Sequence, residues 1–143
     1  MNISASIESQ RDTHAIRIGT DGREHSLSIP PKPEGVGSSV NGGELLFLAL
    51  ATCYCNDLYR EAGRLNIQVE GVVVEATADF PGIGLAATNI QYAVKVSSSA
   101  SPEDVAALVR QTDAVAEVHN IIRAGVPVTL LKDHVKDRAR PDL

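Results

Sequence analysis

Aromatic residues, cysteine and positive charge are all scarce in this chain. Its 143 residues include no tryptophan, two phenylalanines and three tyrosines. So few rings argue against a platform for stacking bases or sugars. Thirteen Lys and Arg stand against eighteen Asp and Glu, a net charge of −5. No basic cluster offsets that balance, so a general nucleic-acid binder is excluded. The two cysteines, Cys53 and Cys55, are too few and too close for a disulfide scaffold. They are expected as free thiols in a reducing compartment, the cytoplasm. The longest uncharged apolar run, residues 45–55, is too short to span a bilayer. The first ten residues are polar and alternating, unlike a secretory signal. What is present is a globular composition, 43% apolar and 22% charged. It suits one domain over residues 1–143 whose core needs no staples.

Residues 1–40 read as strands followed by a loop. Ile3, Ala5 and Ile7 alternate with polar neighbours, and His14, Ile16 and Ile18 continue the period of two. Asp21-Gly22 signals a hairpin, and Leu27 and Ile29 are expected to face inward on the next strand. The Pro-, Gly- and Ser-rich residues 30–43 form a loop or hinge. A helix follows, with Asn41 as N-cap and Arg60, Gly63 and Arg64 marking its end. Its first half, residues 45–51, is apolar on every face, which requires burial on all sides, by a sheet and by a second subunit.

Ile67, Val69, Gly71 and Val73 begin a strand ending near Asp79, and residues 80–84 turn the chain. Ile90, Tyr92, Val94 and Val96 make a half-buried antiparallel partner. Ser101 caps the next helix with Pro102 in its first turn. Thr112-Asp113 is expected to cap a further helix that runs through Arg123 and stops at Gly125. Residues 126–131 are expected to form a last strand, and the charged tail to fray. This order is α+β with antiparallel sheets around buried helices.

The chemistry concentrates in residues 43–55. A thiol inside an apolar helix has two readings. Cys53 is a small core residue, or it is a nucleophile, which needs a cation because burial alone raises a thiol pKa. The nearest basic residue on the helix, Arg60, lies two turns on, so a partner must come from elsewhere in the fold. Cys53, Cys55 and His119 could suggest a metal, but a Cys-x-Cys pair on one helix points its sulfurs apart, and no metal is expected. His14, His25 and His134 read as surface residues. Gly42-Gly43 could hold an anion at the helix start, a weak signal without a following lysine. No cofactor is expected.

Glu44-Leu45-Leu46, leading to Ala51-Thr52-Cys53, resembles the OsmC/Ohr family of osmotically inducible and organic-hydroperoxide-resistance proteins. The later strand pair, the Ser101-Pro102-Glu103 helix start and Val118-His119-Asn120 are similar to its second half, so the resemblance covers nearly the whole chain. It implies an intertwined homodimer with active sites at the subunit interface, and reduction of organic hydroperoxides by a thiol. Carried over, Cys53 is the nucleophile, Arg11 stabilises its thiolate, and Glu44 holds Arg11. Some relatives place that carboxylate one residue earlier, where this chain has Gly43. Ala116 stands where the family has its resolving cysteine. Cys55 is a poor substitute, since residues two apart point about 200° away from each other on a helix. Either an external thiol is the reductant, or the activity has been lost. Glu44 lies roughly 14 Å along the helix from Cys53, so it acts through an arginine or at the partner's site. Its alternative role is as an acidic residue favoured at a helix N-terminus, and that of Arg11 is a solvated strand-end charge. For the whole chain the alternatives are a non-catalytic dimer binding a small apolar or thiol-containing ligand, or a thiol redox sensor.

Overall fold

The computed structural model of the chain describes residues 1–10 and 13–131. Three strands open it: β1 (Ile3–Ser9), β2 (His14–Thr20) and β3 (Arg23–Ser26), paired antiparallel in that order. Asp21 and Gly22 both take positive φ, 49° and 78°, the backbone that a two-residue hairpin turn requires. Strand β3 stops at Ser26, so Leu27 and Ile29 lie beyond it rather than on it. Every residue of β1 is exposed, on both faces. The period-two pattern predicts one buried face, and among the described residues nothing covers it: β1–β3 pack chiefly on one another.

Helix α1 (Gly42–Arg64) follows the loop. It opens with a reciprocal cap. Asn41 Oδ1 accepts from the Glu44 backbone N–H at 2.9 Å, and Glu44 Oε2 accepts from the Asn41 N–H at 2.8 Å, satisfying two otherwise orphaned groups. Leu50, Tyr54, Leu58 and Ala62 are buried and recur at the four-residue spacing of one helix face. Among the described residues its first turns are left open: Leu46, on that same face, and Leu48, on the opposite one, are exposed. Burial of the apolar first half on all sides is thus not achieved by one chain.

Strands β4 (Val69–Asp79) and β5 (Thr88–Ser98) form an antiparallel hairpin whose inner face carries Val72, Val74, Tyr92, Val94 and Val96 against α1. Helix α2 (Pro102–Val115) starts as expected. Ser101 Oγ accepts from the Asp104 N–H, and Pro102 sits in the first turn, where no N–H is missed. The core lies where α1, α2 and the hairpin meet, around the fully buried Tyr54, Leu58 and Leu108. The Tyr54 hydroxyl donates to the Val109 carbonyl at 2.8 Å, so its burial leaves that polar group paired.

Two expectations fail beyond this point. Thr112 and Asp113 do not cap a new helix; α2 runs through them, and the Thr112 hydroxyl donates back to the Leu108 carbonyl. The break falls at Ala116, after which α3 (Glu117–Ala124) runs to Gly125, which takes φ 60° as its left-handed cap. Residues 126–131 form no strand, since among the described residues no strand lies alongside, and Val128 and Leu130 are almost wholly exposed. The architecture is α+β, with two antiparallel sheets and three helices among the described residues.

Candidate functional site

Cys53 sits on α1 one turn before Asp57, so both side chains leave the same helix face. The thiol donates to Asp57 Oδ2 at 3.4 Å. Its other flank meets the start of α3, where Glu117 Oε2 lies 3.8 Å from Sγ. The short link through Ala116 brings α3 here. Ala116 is fully buried and offers no side-chain oxygen to the helix start, which leaves first-turn N–H groups seeking acceptors. The backbone N–H of Val118, in the first turn of α3, favours the charged form of the Cys53 sulfur.

The electrostatics are mixed. Burial pushes the Cys53 thiol up, opposed by the Val118 N–H and reinforced by the Asp57 and Glu117 carboxylates. Burial also raises the Asp57 carboxyl, against the pull of the thiol donor and of Arg60. Its own backbone N–H holds Glu117 below the usual range. Arg60 donates to Asp57 Oδ1 at 2.7 Å and to Glu61 at 3.2 Å. Thus the nearest basic residue of α1 acts on the carboxylate rather than on the sulfur. Among the described residues, the side chains that shift the thiol are carboxylates, not cations.

The arrangement can pass a proton from sulfur to Asp57 while an N–H at a helix start steadies the resulting anion. It could also hold a metal. One sulfur and two carboxylate oxygens, from Cys53, Asp57 and Glu117, lie within 4.8 Å of one another. With three ligands, one of them exposed, such a centre would be open rather than a closed structural site. Neither Cys55 nor His119 joins this cluster.

Of the residues singled out in the sequence, Cys53 is half-buried at this junction. Arg11 lies outside the described residues, as does His134. Glu44 is exposed at the far end of α1, bonded to Asn41, and the structure does not bring it to Cys53 within one chain. A side chain at Gly43 would meet the Phe80 ring at 3.3 Å and Asn41 Oδ1 at 3.1 Å, so those two side chains would have to give by a few tenths of an ångström to admit a carboxylate there. Cys55 is a free thiol, as expected. His14 is half-buried rather than at the surface, and His25 is exposed. Sequence reasoning missed Asp57 and Glu117. The i, i+4 spacing of Cys53 and Asp57 was available as a signal, whereas nothing local pairs Cys53 with a residue 64 positions away.

Among the described residues no helix is long and apolar enough to cross a membrane. No curated protein is significantly similar in sequence. Solved structures share the fold. The OsmC-like protein from Mycoplasma pneumoniae is 17% identical, with 85% of this chain and 86% of that one covered and a TM-score of 0.60. An organic hydroperoxide resistance protein OsmC from Legionella pneumophila is 17% identical over 86% and 90%, with a TM-score of 0.55. One from Elizabethkingia anophelis is 18% identical over 86% and 89%, at 0.51. The family model of the OsmC-like protein matches residues 35–131, the stretch that carries α1, the hairpin, α2 and α3. The chain belongs to the OsmC-like protein family.

Proposed function

We propose that the chain is a thiol-dependent organic hydroperoxide reductase of oxidative stress defence, a cytoplasmic homodimer of one OsmC-like domain per chain with its active sites at the subunit interface. The observation that carries this reading is the Cys53 thiol at the uncapped start of α3, with the Asp57 carboxylate in hydrogen-bond reach. Solved relatives named as hydroperoxide resistance proteins support it.

In this reading Asp57 takes the thiol proton. The thiolate attacks the terminal peroxide oxygen; the S–O bond forms as the O–O bond breaks. The departing alkoxide recovers the proton as an alcohol, leaving Cys53 as a sulfenic acid. With Ala116 in place of a second cysteine, reduction falls to an external thiol. One equivalent forms a mixed disulfide and releases water; a second frees Cys53 as an external disulfide. Arg11 is the proposed cation for the thiolate, and Glu44 orients it across the interface.

Consumption of an organic hydroperoxide with dithiothreitol or a dihydrolipoyl donor tests this. Turnover is expected from wild type and lost in Cys53→Ser; equal rates would remove the proposal. Arg11→Gln should move thiol alkylation to higher pH.

A second reading, a non-catalytic dimer binding a small ligand, is favoured by Ala116 and by the net upward push on the thiol. Absence of turnover, together with an alkylation profile unmoved by Arg11→Gln, would select it.

A further inference from the structure

The two carboxylates at the Cys53 sulfur differ in exposure and in partners. Asp57 is 5% exposed, and its Oδ1 is tied to Arg60 at 2.7 Å. Arg60 also reaches Glu61 at 3.2 Å, so this cation is engaged by two buried carboxylates. Glu117 is exposed at the start of α3. Among the described residues it makes no ion pair. Its own backbone N–H holds it below the usual carboxylate range, so it stays ionised at neutral pH. Its Oε2 lies 3.8 Å from Sγ.

This placement bears on what can react with the thiol. Solvent meets the cluster at Glu117 and not at Asp57. Any group that bonds to Sγ comes within a few ångströms of the exposed carboxylate. Two unit charges 4 Å apart in bulk water interact strongly enough to change a rate about fivefold, and more strongly where solvent is thinned. A negative charge on the incoming molecule is therefore opposed, and a positive one is favoured. The same field acts on a reductant. Ala116 offers no second thiol, so in the proposed cycle an external thiol must come to this sulfur, and it attacks as a thiolate. An ammonium on that molecule offsets the anion it brings; a carboxylate adds to it.

We propose that Glu117 is a specificity-determining residue that sorts by charge the molecules reaching Cys53, so that the external reductant is an uncharged thiol or an aminothiol rather than a carboxylate-bearing thiol. The class of reductant rests on the hydroperoxide-reductase reading; the sorting does not. Iodoacetamide and iodoacetate test the sorting without turnover, because they alkylate the same thiolate and differ by one charge. In a Cys55→Ser chain the thiolate fraction cancels from the ratio of their rates at one pH. The iodoacetamide-to-iodoacetate ratio should fall about fivefold in Glu117→Gln. Salt at about 1 M should narrow it more in the Glu117 chain than in Glu117→Gln. Should Glu117→Gln fail to fold, the ratio with Glu117 present should still exceed that of free mercaptoethanol, and a lower one would overturn the proposal. So would a ratio unmoved by Glu117→Gln, which would leave Glu117 as an acidic residue favoured at a helix start. In the hydroperoxide assay, compared per thiolate, cysteamine should outpace mercaptoethanol and mercaptopropionate should trail both, with the order compressed in Glu117→Gln. Equal service by mercaptopropionate would overturn the reductant class. A wild type that turns over no hydroperoxide yet sorts the alkylating pair would remove the hydroperoxide reading and keep the sorting.

Discussion

Cys53 faces two carboxylates, and this proximity fixes what a substitution at Asp57 must do. Removing the Asp57 charge takes away one group that raises the thiol. The alkylation profile of Asp57→Asn should therefore shift to lower pH. Its hydroperoxide turnover should fall by about a hundredfold if Asp57 is the proton acceptor, the usual contribution of a positioned base. A variant that both alkylates and turns over faster would reduce Asp57 to an electrostatic burden. His119 gives a second expectation. Burial depresses its pKa below the ordinary histidine value of 6.5. Between the depressed and ordinary values the unfolded chain binds more protons than the folded one. The stability His119 contributes is thus complete above that window and lost as pH falls through it. Denaturation midpoints should drop as pH falls below about 6.5, the ordinary histidine value, and His119→Phe should flatten the drop. The sequence alone made Cys53 legible, because a thiol in an apolar helix is conspicuous. Glu117, the Val118 N–H and the isolation of His119 were not legible, since each depends on how α3 docks after a break at Ala116 that carries no capping side chain.

Among the elements, the helices with side-chain caps were the ones the sequence announced. Asn41 and Glu44 close α1 reciprocally, and Asn41→Ala should cost about 1 kcal/mol in chemical denaturation. Leu58 is fully buried in the core, so Leu58→Ala should cost about 3 kcal/mol by the same measurement, within the range for leucine cavities. Thr112 and Asp113 misled because their side chains serve α2 and Arg123 instead of a helix start. Residues 126–131 misled in another way. Apolar β-formers make a strand only beside a strand, and among the described residues none lies beside them.

At the scale of the whole molecule, apolar surface remains where one chain ends its packing. Ile3 and Ile7 on β1, Leu46 and Leu48 on α1, and Val128 and Leu130 beyond α3 are all exposed. Under the proposed dimer a second copy covers them. Sedimentation should then give twice the 15.2 kDa of one chain. Ile3→Lys with Ile7→Lys should shift the species toward a single chain, because the lysines would carry charge into the joint. A wild type that sediments as one chain would leave the interface reading without support.

The α1–α3 junction also sets how this molecule would age. Oxidation of Cys53 beyond the sulfenic stage leaves a permanent anion on sulfur, wedged between Asp57 and Glu117. Mutual repulsion would prise the start of α3 away from α1, and with it Ala116, which seals that seam. Irreversible damage at a single atom would become mechanical loosening, and protease sensitivity at residues 115–118 would record the accumulated exposure to oxidant.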